Sequence, residues 1–223
     1  MKKNNKLFAG LLISIMLFSG CASMNKTQKG AAIGTAGGAA AGAVIGRASG
    51  NTALGAIIGA TVGGVTGAVI GRQMDKQAEE LKKEVPNANV ERVGEGIVIE
   101  LSDKVLFDFG KSDLTDASKR SLDKIVEVFN KYPDTDIEVQ GHTDNKGSEE
   151  YNQGLSVRRA VAVTDYLNNK GIPNSRLNVK GFGELAPKYD NATEEGRAQN
   201  RRVEFLVTAN EKMKADAAKQ AGQ

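Results

Sequence analysis

The segment GAAIGTAGGAAAGAVIGR at 30–47 recurs as GAIIGATVGGVTGAVIGR at 55–72. Glycine falls at 30, 34, 38, 42 and 46 in the first copy and at 55, 59, 63, 67 and 71 in the second. On a helix of 3.6 residues per turn, a four-residue repeat draws a slowly drifting stripe along one side, here a stripe without side chains. Glycine costs a water-exposed helix about 1 kcal/mol per residue against alanine, whereas in lipid or at a tight helix contact the bare surface lets two backbones approach closely. Each arm is uncharged for about 17 residues, or roughly 25 Å of helix, so thinning or flanking residues must cover the rest of the ~30 Å hydrocarbon layer. The polar turn R-A-S-G-N-T-A-L joins the copies into an expected helical hairpin over 30–72. A flexible Gly/Ala-rich linker is the alternative, although a linker needs neither interleaved Ile and Val nor a fixed register.

The chain begins as an exported protein does. Lys2, Lys3 and Lys6 form a positive region, residues 7–18 an apolar run, and Ser19-Gly20 provide small residues before Cys21. Cys21 is the only cysteine in 223 residues, which excludes an intramolecular disulfide. Ser19-Gly20-Cys21 resembles the lipobox of bacterial lipoproteins. That resemblance implies a signal peptide over 1–20, an acyl anchor (palmitate) on Cys21 and a short linker over 21–29. With Ala22 next, it also implies the outer membrane, with the C-terminal part in the periplasm. Each buried methylene contributes about 0.8 kcal/mol, so several acyl chains on one residue hold a protein to membrane lipids almost permanently. The duplicated stripe resembles the glycine-zipper segments of bacterial envelope lipoproteins, and a homo-oligomer formed through the stripe is a second expected association.

A formal net charge of +3 sets up no field that would draw nucleic acid. From Gln73 to Glu84 the chain is charged and helix-prone, and Pro86-Asn87 stops it, so 73–94 is expected to be a spacer. Beyond it, alternation in Ile97-Val98-Ile99-Glu100-Leu101 and in Val105-Leu106-Phe107 predicts strands, and Leu122, Ile125, Val126 and Phe129 fall at helical spacing. Further strands are expected at 137–140, 177–180 and 203–207, with a helix over 149–168. Strands alternating with helices predict a compact α/β sandwich, a mixed sheet with helices packed on it, over 95–210. A polar tail over 211–223 follows.

Five ordered blocks carry a resemblance: F-D-F-G-K-S-D-L (107–114), G-H-T-D-N-K-G (141–147), N-Q-G-L-S-V-R-R-A (152–160), G-F-G-E-L-A-P (181–187) and E-G-R-A-Q-N-R-R-V-E (195–204). They resemble the OmpA C-terminal domain family, shared with Pal and YiaD-type lipoproteins. The resemblance implies a non-enzymatic domain that grips peptidoglycan through the diaminopimelate of its peptide stem, a side chain ending in both an ammonium and a carboxylate. By the same resemblance Asp144 accepts the ammonium, Arg159 grips the carboxylate, Phe109-Gly110 belong to a loop donating backbone N–H groups, and Arg201 lines the pocket. Guanidinium is a planar fork suited to carboxylate, and charge-assisted bonds of this kind contribute about 1.5–3 kcal/mol each. Asn152, Leu155, Ser156 and Arg159 share one face of the expected helix, read as the solvent-exposed site face, while Val157, Ala160, Val161, Thr164 and Leu167 are expected to face the core.

Enzyme motifs fail on inspection. Gly110-Lys111-Ser112 imitates the end of a phosphate-binding loop, but Val105 stands where that loop needs glycine. Gly181-Phe182-Gly183-Glu184-Leu185-Ala186 fits a dinucleotide fingerprint in letters, yet Pro187 follows where a helix should run. His142 is the only histidine and lacks a second soft ligand, so it reads as a core or loop-positioning residue, and no metal or cofactor is expected. Two readings remain: an outer-membrane tether gripping the cell wall, and an oligomerising glycine-zipper element altering envelope permeability, with wall binding secondary.

Overall fold

The computed structural model describes Ile57 and residues 62–108 and 110–222. The signal segment, the Cys21 anchor, the first glycine arm and Phe109 lie outside the described residues.

Five strands form one open sheet: β1 (Asn89–Val93), β2 (Gly96–Ser102), β3 (Thr135–His142), β4 (Leu177–Gly183) and β5 (Arg202–Ala209). Their order is β1-β2-β5-β3-β4. All neighbours run antiparallel except β3 and β4, which are parallel and therefore need a crossover. The helices are α1 (Gly64–Glu84), α2 (Asp103–Leu106), α3 (Asp116–Lys131), α4 (Glu149–Asn169), α5 (Glu194–Asn200) and α6 (Glu211–Ala221). Helix α4 is the crossover between β3 and β4. Ser148 caps it by accepting from Tyr151 N, and Glu149 and Glu150 lie in its first turn, where they complement the helix dipole.

Period-two alternation sorts the sheet into two faces. Ile97, Ile99, Leu101, Ile137, Val139, Val203, Phe205 and Val207 are buried on the face that carries the main core with α1, α3 and α4. On the opposite face Val98 and Leu206 pack with Ile57, and toward the C-terminal ends of β2 and β3 that face is polar. There Glu100 pairs across from Glu204, Glu204 from Gln140, and Arg202 from His142. Arg202 bonds Glu204 at 2.7 Å, Lys188 bonds Glu100 at 2.7 Å, and the Ala186 carbonyl accepts from Arg202, so the segment after β4 covers this face.

Close backbone approach seats α4. A Cβ at Gly141 would overlap the Ser156 carbonyl oxygen, and one at Gly181 would overlap Val157. The sheet therefore admits the helix only where it presents glycine.

The expected sheet and the expected helices around 122–129 and over 149–168 are present, the helical hairpin over 30–72 lies mostly outside the described residues, and several details differ. Residues 105–107 are not a strand: Ser102 caps the one-turn helix α2, and Phe107 makes only an isolated bridge to Leu114. Three residues of apolar sequence did not distinguish a turn of helix from a strand. Residues 73–94 are not a detached spacer: Met74, Ala78, Leu81 and Val85 repeat at helical intervals within the charged run and enter the main core, and β1 extends the sheet. The tail folds as α6, whose Met213 and Ala217, one turn apart, are buried in the same core. The end of the second glycine arm is the first stretch of α1, with Val69 and Ile70 in the protein core rather than in lipid. Glu95 holds the two residues that lead into α1, accepting from Val62 N at 2.7 Å and Gly63 N at 2.8 Å, and a Cβ at Gly67 would overlap its carboxylate. Among the described residues, no helix is long and apolar enough to cross a membrane.

Candidate functional site

A cavity of about 260 Å³ opens between the N-terminal half of α4, the loop after β3, α2 and α5. Asp144 follows β3 directly, since the strand ends at His142 and the chain turns at Asp144: its Oδ1 accepts from Lys146 N at 3.0 Å. Its Oδ2 lies 2.5 Å from Nη1 of Arg201, which stands between α5 and β5. Asn152, one turn into α4, fixes that loop from behind. Its Nδ2 donates to the carbonyls of Asp144 (3.3 Å) and Lys146 (3.1 Å) and to Glu184 (2.6 Å).

Arg159 comes from two turns further along α4 and is 2% exposed. Its Nη1 lies 3.3 Å from Asp103, its Nε donates to the Lys111 carbonyl at 3.0 Å, and its guanidinium stacks over Phe107 at 5.1 Å. Burial lowers its pKa, with Asp103 opposing the shift, yet an arginine remains charged. Arg201 also approaches Asp103 at 3.7 Å and Glu194 at 3.4 Å. Gly110 lines the rim with φ 70°, a left-handed backbone that would strain any other side chain.

The cavity thus gathers Gly110, Asp144, Asn152, Leu155, Arg159 and Arg201 of the expected residues, with Phe109 outside the described ones. Ser156 is elsewhere: fully buried, its Oγ donates to Gln153 O and accepts from Gly183 N, bracing α4 on β4. The helix face carrying the site is buried rather than solvent-exposed, whereas Val157 and Val161, expected in the core, are 37% and 39% exposed. Their outward direction follows from α4 meeting the sheet along Ser156, Ala160, Val163 and Leu167.

Asp103, Thr143, Lys146, Tyr151, Glu194 and Arg197 also line the cavity and were not anticipated. Thr143 and Lys146 sit inside a matched block and Tyr151 beside one, so proximity to Asp144 and Asn152 was a usable signal. Asp103 offered none, because it reaches the site through the misread turn of α2.

His142 is fully buried in β3 and stacks on Phe182 at 5.2 Å, with neither ring nitrogen hydrogen-bonded. Burial, reinforced by Arg202 and Lys188, holds its pKa well below the usual 6.5. Among the described residues no cluster of His, Cys, Asp and Glu is arranged to hold a metal ion.

Comparison with known proteins matches residues 106–201 to the OmpA family and residues 1–75 to a YMGG-like Gly-zipper. The outer membrane porin F of Pseudomonas aeruginosa is 46% identical over 116 residues, covering 52% of this chain and 33% of that protein. The outer-membrane lipoprotein YfiB of the same species is 39% identical over 115 residues, covering 52% of this chain and 68% of YfiB. Among solved structures, the cell wall anchor of the T6SS from Pseudomonas aeruginosa superposes with a TM-score of 0.54 at 28% identity, over 61% of this chain and 97% of that one. The chain therefore spans about a third of the length of porin F and about two thirds of YfiB.

Proposed function

The chain belongs to the OmpA family, and from that premise we propose that it is an outer-membrane lipoprotein that binds peptidoglycan without cleaving it and ties the membrane to the wall. The observation that carries this reading is that the Asp144 carboxylate and the Arg159 guanidinium line one cavity, each paired with another side chain, Arg201 and Asp103 respectively. Opposite charges fixed within one small cavity suit a ligand group carrying both signs. The diaminopimelate side chain is such a group: its ammonium goes to Asp144 and its carboxylate to Arg159, with Leu155 against the aliphatic stretch between them. The likeness to YfiB and to a cell wall anchor supports the envelope setting. Cys21, acylated, supplies the membrane end, and the Gly-zipper segment lies between anchor and domain.

The second reading, an oligomerising membrane element, is favoured by the Gly-zipper match over 1–75. It takes a subordinate place because the described end of the second arm packs against the folded domain.

Co-sedimentation with isolated sacculi tests the proposal. The full chain in detergent pellets with sacculi, and Asp144→Ala and Arg159→Ala chains that remain folded stay in solution. A wild-type chain left in the supernatant contradicts wall binding.

A further inference from the structure

Asp103 enters the cavity from α2, upstream of every block that carries the family resemblance. It is 5% exposed. Its Oδ2 lies 3.3 Å from Arg159 Nη1 and 3.7 Å from Arg201 Nε, while Oδ1 is buried without a hydrogen-bond partner. Charge-assisted N–H to carboxylate bonds close to about 2.7–2.9 Å, so both arginine contacts are long. An orphaned buried acceptor keeps the cost of its lost hydration. Burial therefore outweighs both guanidinium groups, and the carboxyl holds its proton more tightly than an ordinary aspartate does.

Resting on the reading above, we propose that Asp103 determines specificity at this site: it competes with an incoming carboxylate for Arg159 and takes up a proton when that carboxylate binds. The proton comes from solvent and returns there on release; no other bond changes. The charged groups facing Asp103 are Arg159 from α4, Arg201 between α5 and β5 and Asp144 after β3, with the backbone N–H of Lys104 beside it in α2. A second carboxylate drawn to Arg159 places like charges around one guanidinium, which raises the pKa of the less stabilised partner. That partner is Asp103, because its Oδ1 has no hydrogen-bond partner and its arginine contacts are long. Once neutral, Asp103 leaves the Arg159 guanidinium to the ligand. Ligands with a side-chain carboxylate therefore bind more tightly on mild acidification, and ligands without one do not.

The main-chain role of Asp103 is separable. Its N–H donates to the Arg201 carbonyl at 2.9 Å and its carbonyl accepts from Phe107 N, and neither bond involves the carboxylate. Asp103→Asn keeps both, as well as the side-chain shape.

The test is calorimetric titration of the full chain in detergent, in two buffers of different ionisation enthalpy, at about pH 5.5 and about pH 7.5. The probes are a stem tripeptide ending in meso-diaminopimelate and the same peptide with its side-chain carboxylate amidated. For the acid form, wild type gives a binding enthalpy that differs between buffers with the sign of proton uptake; the amide gives none. Asp103→Asn abolishes the uptake and tightens the acid form at the higher pH by about threefold to tenfold. Buffer-independent enthalpy for wild type overturns the inference whether or not the variant folds, as does uptake that persists in Asp103→Asn. A wild type that pellets with sacculi but shows no uptake contradicts this inference alone. One that binds neither sacculi nor stem contradicts the wall-binding reading as well.

Discussion

Nη1 of Arg201 lies 2.5 Å from Oδ2 of Asp144, a pairing that spans 57 residues of sequence. The same guanidinium also approaches Asp103 and Glu194, so one arginine stands among three carboxylates and orients the one assigned to the ligand ammonium. Arg201→Ala therefore acts on binding through Asp144. It is expected to weaken stem binding by about 1.5–3 kcal/mol, an effect that overlaps with that of Asp144→Ala instead of adding to it. A double-mutant cycle by calorimetry measures the overlap; full additivity contradicts the positioning role.

Arg159 is 2% exposed and pairs with an Asp103 that is itself buried, so its loss is a stability event as well as a binding event. Removing one member of a buried pair leaves the other charge uncompensated, and Arg159→Ala is expected to cost on the order of 3 kcal/mol of folding stability. Adding Asp103→Asn should restore part of it. Denaturant melts of the single and double variants check this, with a double variant no more stable than the single one counting against it.

The glycine stripe has a local role that substitution can isolate. A Cβ at Gly67 would overlap the Glu95 carboxylate that accepts from Val62 N and Gly63 N just before α1. Gly67→Ala is expected to destabilise the docked end of α1 by about 1–3 kcal/mol, as overpacking does, while leaving wall binding intact. Limited proteolysis near residue 63 should accelerate in the variant and sacculus pelleting should not change.

Much of this fold was legible because its signals are local. Alternation marked β2, β3, β4 and β5, and the spacing of Leu122, Ile125, Val126 and Phe129 marked α3. The apolar positions of α1, at Met74, Ala78 and Leu81, were equally periodic but diluted by Asp75, Lys76, Glu79 and Glu80, so charge density hid a core helix. The residues of the site were legible as types at fixed positions in recognised blocks. Their partners were not, because Asp144 with Arg201 and Arg159 with Asp103 are tertiary pairings that no local pattern encodes. The buried state of the site helix was missed for the same reason: the polar identities of Asn152, Ser156 and Arg159 suggested water, whereas each is satisfied by a carbonyl or carboxylate from another segment or turn.

His142 makes stability depend on pH. Its folded pKa lies well below 6.5, so below that value the unfolded chain binds a proton that the native chain does not. Its contribution is therefore present above pH ~6.5 and is lost as pH falls below it, by up to about 1.4 kcal/mol per pH unit. Asp103 works in the opposite sense: with a raised folded pKa, its contribution is lost as pH rises through that value. Since neither ring nitrogen of His142 has a partner, His142→Phe should retain the stack on Phe182 and flatten the loss on acidification. Melting curves from neutral pH downward compare the two chains, and an equally steep decline in the variant would exclude His142 as the cause.

Titration with two stem peptides asks whether one cavity reads both charges of a single ligand group. Lysine supplies the ammonium for Asp144 but no side-chain carboxylate for Arg159, which would then remain desolvated without its partner. The full chain is expected to bind a diaminopimelate stem more tightly than the matched lysine stem by about 1.5–3 kcal/mol, and Arg159→Lys to narrow the gap. Equal affinity for the two stems would contradict this expectation.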